Sequence, residues 1–488
     1  MSSHPLDTNG PVRARRHRQS RWTGWGLVLG LVLHSGAAQA KQVWANEAET
    51  RVLEVGGFYK ALGAGMVLPD GLVANMDALA RAVEEARESL PTSVAATLPL
   101  FEPMPGEGAL STQVARLQAR LLWGEHLDAE VAWQLGASVA SAPAFAGGAA
   151  LGGSPMSGAA TASRRLVDFD PALAESGTMR LRHDLDRLSL KLSFPGVDVV
   201  AGRQVLGWGS GRLWNPTDLL SPFSPTDIDK EVRKGVDALR VSMPLGVTGL
   251  LDLLWLPQRR AEENGGVVRA QANFFGYDFS LSAAKYLSDL VFGADFSGDL
   301  GRLGVHGEAA WTLGMAGWSE GPLKVDEQFV RAVGGVEWRP LESLVLMAEY
   351  HFNGFGASTP EEYLAKMQSA RVARGEVFGA GRHYLGLVSS WAVSELVALQ
   401  TTALVNLQDP SAMLVPVVEW SAAQGVLLRV GAFLPLGKGP DQKAFQDLGA
   451  SDVLEASPAF QSASSTLGGR SEYGMAAAGL MAQVAIHL

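Results

Sequence analysis

Two pairs of side chains in this 488-residue chain have the types and spacing for acid–base or metal chemistry. His306 with Glu308, and Glu349 with His351, each set an imidazole and a carboxylate two residues apart, which puts both on one face of a strand. Such a pair suits a general base or two ligands of a metal. Neither has a third ligand or a nucleophile beside it in the sequence, so the polarity of an inward strand face is the better account. A third candidate is the glycine run GRQVLGWGSGRLWNPTDLLSP, residues 202–222, where Gly207, Gly209 and Gly211 alternate around Trp208 and lead into Trp214-Asn215-Pro216-Thr217-Asp218. It lacks the spacing of a dinucleotide fingerprint, and no helical pattern follows it. It reads as a corner: glycines that permit positive φ at an outer rim, then a loop long enough to fold inward as a constriction or to stay outside as a lid. Arg212, Asn215, Asp218 and Asp227 are the loop residues placed to act on passage. No catalytic residue, metal site or cofactor is assigned, and an enzyme is not expected.

The elements that carry these residues are read from period-two alternation in segments of about ten residues. From Val114 to Leu121, Arg116, Gln118 and Arg120 share one face and Ala115, Leu117, Ala119 and Leu121 the other. Asp128, Glu130, Gln134 and Ser138 oppose Val131, Trp133, Leu135 and Val139, and Arg187, Ser189 and Lys191 oppose Leu188, Leu190 and Leu192. Short links, such as 123–126, 194–197 and 244–247, alternate with mostly longer ones at 63–110, 141–177, 207–232, 256–266, 315–328, 354–381 and 436–471. Tight turns alternating with long loops are the pattern of a transmembrane antiparallel β-barrel. The count is about 18 strands, within 16–18, and the segments near 285–290 and 408–412 each read as two strands or as one bent one. The last segment alternates Ala478, Leu480, Ala482, Val484, Ile486 and Leu488 to the final residue, as a closing strand does. One segment departs from the pattern: Leu72, Met76, Leu79, Val83, Ala86 and Leu90 recur at helical spacing between Pro69 and Pro91. This helix in the first long loop either packs over the barrel mouth or reaches into the lumen as a plug.

Composition narrows the class. Arg13, Arg15, Arg16, Arg18 and Arg21, the apolar stretch Trp22 to Leu33 and Ala38-Gln39-Ala40 form an export signal expected to be cleaved after residue 40, leaving 41–488 as the barrel. The chain without it carries a net charge near −14, which argues against nucleic-acid binding. There is no cysteine, so there is neither a disulfide framework nor a thiolate metal site.

The expected lining is basic. Arg116, Arg120, Arg180, Arg182, Arg187, Lys191, Arg240, Arg269, Arg302, Arg331, Arg339 and Arg429 are placed inward, against Asp128, Glu130, Asp184, Glu308, Glu337 and Glu349. A lumen lined this way favours anions; alternatively, the two signs pair into a network that only stiffens the wall. Trp123, Tyr277, Trp311, Trp338, Tyr350 and Trp391 are candidates for interfacial girdles.

The stretch from Gly202-Arg203-Gln204 through Trp208-Gly209 and Trp214-Asn215-Pro216-Thr217-Asp218 to Gly235-Val236-Asp237-Ala238-Leu239-Arg240 resembles a segment of alginate-exporter-like and related porin-like outer-membrane barrels. The resemblance covers about forty residues and implies a channel family, among whose roles is export of acidic polysaccharide through a basic lumen. It carries over an architecture and no site residue. Two functions are therefore expected. The first is an outer-membrane porin for anionic solutes or exopolysaccharide in a Gram-negative envelope, meeting lipid, the barrel-assembly machinery and periplasmic export components. The second is a non-conducting barrel that anchors an envelope assembly, secretion or motility machine.

Overall fold

The computed structural model describes residues 41–46, 50–96, 104–145, 165–167, 172–227, 229–316 and 324–488. The expected export signal lies outside them. The described strands are β1 (Lys41–Ala45), β2 (Arg51–Val67), β3 (Glu107–Trp123), β4 (Leu127–Ala140), β5 (Ala172–Glu175), β6 (Met179–Phe194), β7 (Val197–Gln204), β8 (Val236–Leu245), β9 (Gly249–Leu256) and β10 (Gly265–Phe274). The second half holds β11 (Tyr277–Tyr286), β12 (Asp289–Leu300), β13 (Leu303–Ala316), β14 (Lys324–Leu341), β15 (Leu344–Asn353), β16 (His383–Ala392), β17 (Val397–Asn406), β18 (Ser411–Ala423), β19 (Val426–Leu436) and β20 (Ala478–His487).

Eighteen of these, β2 to β4 and β6 to β20, form one closed antiparallel barrel. Closure comes from β20, which pairs back onto β2 from Phe58↔His487 to Val67↔Ala478. The backbone of Leu488 then donates to the Gly57 carbonyl at 2.8 Å. Closure matters because a free edge would leave unpaired N–H and C=O groups in lipid. The two remaining strands patch the wall: β1 continues the β20 edge along Val52–Val55, and β5 pairs with β6 at Arg180–Arg182. The segments near 285–290 and 408–412 each hold two strands, joined as the tight hairpins β11–β12 and β17–β18.

Alternation sets the faces. Leu117, Trp133, Leu188, Leu253, Leu281, Trp311, Val330, Val418 and Leu480 stand exposed on the outside, an apolar belt suited to hydrocarbon. Trp123, Phe194, Phe274, Trp338, Trp391 and Trp420 gather near the short-turn ends, where an interfacial girdle belongs. Helix α1 (Asp70–Glu88) covers the mouth at the long-loop end. Its Ala78, Leu79, Ala82, Val83 and Ala86 pack on Phe445, Val453 and Ala463 of the β19–β20 loop.

The inner surface is apolar in the long-loop half. One cluster joins Ala64, Met66, Leu110, Tyr384, Leu404, Met413, Val415, Phe433 and Met481 of the wall with Leu72 of α1 and with Leu213 and Trp214 of the β7–β8 loop. The second joins Val236, Ala238, Leu254, Leu256, Val267, Ala284, Tyr286 and Val291 with Leu206, Leu219 and Leu220 of the same loop. Toward the short turns the inward residues are polar.

The wall is uneven at one place. Strand β6 has 16 residues and its neighbour β7 only 8, because the chain leaves the wall at Gln204. Gly202 prepares the departure, with φ +110 and a would-be Cβ that overlaps the Leu188 carbonyl oxygen. A side chain there is strained by about 1–3 kcal/mol from the backbone alone. Gly202→Val should therefore lose the heat-resistant folded band on electrophoresis. Gly334→Val, on β14 with open space around its Cα, should keep it.

Candidate functional site

Residues 205–235, between β7 and β8, do not turn at the outer rim. They enter the barrel, and Gly207 to Gly211 lie inside it at mid-height, which corrects the corner expected from the sequence. The loop reaches β15 and β16, and β16 is nine strands round from β7 and so diametrically opposite in a ring of eighteen. Trp214 stacks on His351 of β15 with centroids 5.1 Å apart, and lies 6.0 Å from the ring of Tyr384 on β16. Gly386 leaves the room: a Cβ there would press into Leu213 and Trp214.

Two glutamates of the far wall hold the loop by its backbone. Glu308 of β13 accepts from Ser210 N at 2.9 Å and Gly211 N at 3.0 Å on one oxygen, and from Thr217 N at 2.5 Å and Thr217 Oγ1 at 2.8 Å on the other. Glu349 of β15 accepts from Arg212 N at 2.8 Å, Leu213 N at 3.1 Å and Trp214 N at 2.9 Å, and its Oε2 lies 2.8 Å from His306 Nε2. Every backbone N–H from 210 to 214 thus points at a buried carboxylate. Hydrogen bonds to charged acceptors are worth ~1.5–3 kcal/mol each. A run of N–H groups aimed at an anion is the geometry of a phosphate cradle, but here the anions belong to the protein. The alternating glycines allow the approach: at Gly209, φ +101, a Cβ would overlap the Glu308 carboxylate, and at Gly207 it would overlap the Arg233 guanidinium.

The return path is tied too. Asp218 pairs with Arg233 and accepts from Ser221 N at 3.1 Å. Asp218 N donates to the Asn215 carbonyl at 3.1 Å, closing the turn around Pro216. Leu219 and Leu220 enter the second apolar cluster. Asp229 and Glu231 each lie 2.6 Å from Lys60 Nζ of β2, and Glu231 lies 2.8 Å from His487 of β20. Asp227 accepts from Ser224 N at 2.8 Å within its own turn. Of the four constriction candidates, Asn215, Asp218 and Asp227 therefore shape the loop. Arg212 contributes its backbone to Glu349, while its side chain is 57% exposed and 4.0 Å from Glu337.

The basic lining is largely paired. Arg116 lies 2.5 Å from Asp186, which also pairs with Arg187, and Arg187 Nη2 donates to the Arg233 carbonyl at 2.6 Å. Arg120 grips Asp128 at 2.6 and 3.0 Å, Lys191 meets Asp198 at 2.9 Å, and Arg240 grips Asp252 at 2.9 and 3.1 Å. Arg269 donates to Gln271 at 2.5 Å and lies over the Trp208 ring; buried Arg331 donates to the Glu376 carbonyl. Arg182 faces inward opposite Gly136. Arg302 does not line a strand at all: it sits exposed in the β12–β13 turn, because the alternation stops at Leu300 and resumes at Leu303.

The alternation places Glu308 and Glu349 in the lumen but does not say what they bind. The available signal was the glycine run itself, since N–H groups brought into a lumen need acceptors. It also missed Lys60, Asp229 and Glu231, whose pairing depends on which strands face each other across the barrel.

No family model matches the chain, and no curated protein matches it. Among solved structures it is similar to OccAB1 of Acinetobacter baumannii, at 10% identity and TM-score 0.47 over 93% of this chain and 99% of that one. OccK5 (OpdH) of Pseudomonas aeruginosa follows at 6% identity and TM-score 0.47 over 89% and 98%, and a Rhodopseudomonas blastica porin triple mutant at 10% and 0.38 over 89% and 100%. The fold itself, a closed antiparallel barrel with an apolar outer belt, rests on this chain's own register and exposed side chains.

Two outcomes test the site. Glu308→Ala leaves four buried donors without their acceptor, and a buried donor left unsatisfied costs about 1–3 kcal/mol. Limited trypsin treatment of the folded barrel should cut at Arg212 or Arg233 in that variant and spare the wild type. Burial pushes the Asp227 carboxyl up to about 6 from 3.8. The folded state then holds the proton more tightly than the unfolded state, so stability falls as pH rises from about 4 through about 6 and stays reduced above it. Asp227→Asn should gain about 3 kcal/mol at pH 7.5, and urea unfolding should show most of the gain lost by pH 4.

Proposed function

We propose that the barrel is a gated outer-membrane transport protein of the porin type, closed to bulk solute at rest by residues 205–235. One observation carries this reading: the loop spans the lumen to the opposite wall and buries Trp214, Leu213, Leu219 and Leu220 against apolar inner-wall residues. A water-filled pore has no use for an apolar inner surface, whereas a loop seated in the lumen needs one. The hold on the far wall is compatible with displacement, because it runs mainly through side-chain carboxylates, and among the described residues no strand ladder joins loop to wall. Withdrawal would leave the barrel closed on itself.

The vestibule toward the short turns keeps the polar lining, with Arg120, Lys191, Arg240, Arg269 and Arg429 among its cations. Anionic or polysaccharide solute would meet these first, but Arg120, Lys191, Arg240 and Arg429 each have an acidic partner beside them, so selection for anions draws little support from net charge. The second reading, a non-conducting barrel anchoring an envelope assembly, is supported by the same pairing, since a mixed-sign wall stiffens a shell without selecting ions. Outer-membrane lipid and the barrel-assembly machinery are partners under either reading.

Planar-bilayer recording separates the two. The gated reading expects a silent wild type and steady conductance from a chain lacking residues 207–232. A silent deletion variant that is folded favours the anchoring barrel. A wild type with steady ohmic conductance contradicts closure.

A further inference from the structure

The lipid-facing side of β2, β3, β4, β6 and β7 is not evenly filled. In one row across these strands Leu53 stands opposite Leu121, Leu121 opposite Ala129, Ala129 opposite Leu190 and Leu190 opposite Ala201. In the next row toward the long loops, Ala119 stands opposite Val131, and Val131 opposite Leu188. Where alanine falls between leucines and valines the surface sinks. The result is a recess of about 630 Å³ lined by these side chains, within the ~300–1,000 Å³ of sites that hold a small organic molecule.

Toward the short turns the recess ends at a rim that carries two opposite charges. Arg51 shares the outward face of Leu53, two residues and so about 7 Å away along the strand, and stands opposite Trp123 in the ladder. Its guanidinium lies over the Trp123 indole, 4.1 Å from the ring centroid. An arginine held on an aromatic face keeps N–H groups at its edge for a second partner. Glu125 stands in the β3–β4 turn, which closes against the start of β2 because Gly124 N donates to the Thr50 carbonyl at 2.6 Å. Arg51 and Glu125 are both exposed, and neither makes an ion pair among the described residues. Trp123 sits between them at the level where an indole marks the boundary of the hydrocarbon.

We propose that this recess and its rim hold one phospholipid of the leaflet at the short-turn end, with an acyl chain in the recess, the phosphate on Arg51 and a primary amine on Glu125. The charges select the head. A phosphoethanolamine brings an anion for Arg51 and N–H donors for Glu125, whereas a choline head has no N–H to give and a glycerol head has no cation. The recess selects less sharply, because a chain that leaves other lipid gains no hydrophobic energy and its preference comes from contact alone. A flexible chain makes that contact with the sunken alanines, whose neighbours otherwise stand proud of them. The site lies outside the barrel and goes beyond the transport reading, so it stands whether or not the lumen ever opens.

The test is native mass spectrometry of the whole barrel released from vesicles that hold equal parts of phosphatidylethanolamine, phosphatidylcholine and phosphatidylglycerol. The wild type should retain one lipid, predominantly the ethanolamine form. Arg51→Gln should cut that retention about fivefold, the scale of one interfacial basic charge. Glu125→Gln should keep a retained lipid and lose the preference for ethanolamine over glycerol. Filling the recess with Ala129→Phe, or with Ala201→Phe where the first fails to fold, should also reduce retention. Arg302→Gln, in the β12–β13 turn away from the recess, should leave it unchanged. Retention of all three lipids alike by the wild type would overturn the site, as would retention that Arg51→Gln and the folded recess-filling variant leave intact.

Discussion

Six backbone N–H groups of one loop, at Ser210, Gly211, Arg212, Leu213, Trp214 and Thr217, end on two carboxylates of the far wall. Much else in the interior follows from that contact. A loop inside a barrel must find acceptors for its backbone, and inward strand positions can supply them only where an acidic side chain stands at the right height. Once Glu308 and Glu349 hold the loop, Leu213 and Trp214 are delivered to the β15–β16 wall and Leu219 and Leu220 to the β10–β12 wall. The two apolar clusters then form on either side. The same departure of the chain from the wall shortens β7, which has 8 residues beside the 16 of β6.

The shell was legible because its signal is local. Alternation in Val114–Leu121 or Arg187–Phe194 needs only a strand with one face in lipid, and tight turns such as Gly196 and Gly276 mark the ends. The hairpins at Leu287 and Leu407 were the hardest to read, since a two- to four-residue outer connection looks like a bend within one strand. Helix α1 was legible for the same reason as the strands, by its own period, and its place over the mouth settles between the two positions the sequence allowed.

The interior was not legible in the same way. Which side chain meets Gly209 depends on β13 standing across the lumen from β7, and nothing in the order of residues states that. The inward basic residues were identified by parity, but parity does not say that Arg240 faces Asp252 or that Arg116 meets an Asp186 pushed inward by a bulge at Ala132/Trp133. A count of inward charges therefore suggested an anion-selective strip, where the structure holds mostly pairs. The glycine run lacks a nucleotide spacing, and what its backbone cradles is a pair of glutamates of the wall.

The central claim is that the loop reaches the opposite wall. The chain has no cysteine, so a single engineered pair reports that contact without background. Leu213→Cys with Gly386→Cys places one thiol on the loop and one on β16, nine strands from the loop's origin. Mild oxidation of the folded barrel in membranes should join them nearly completely, giving a mobility shift that reductant reverses. If they join no more than Leu213→Cys does with Ser242→Cys on β8, the loop does not cross the lumen and the account fails.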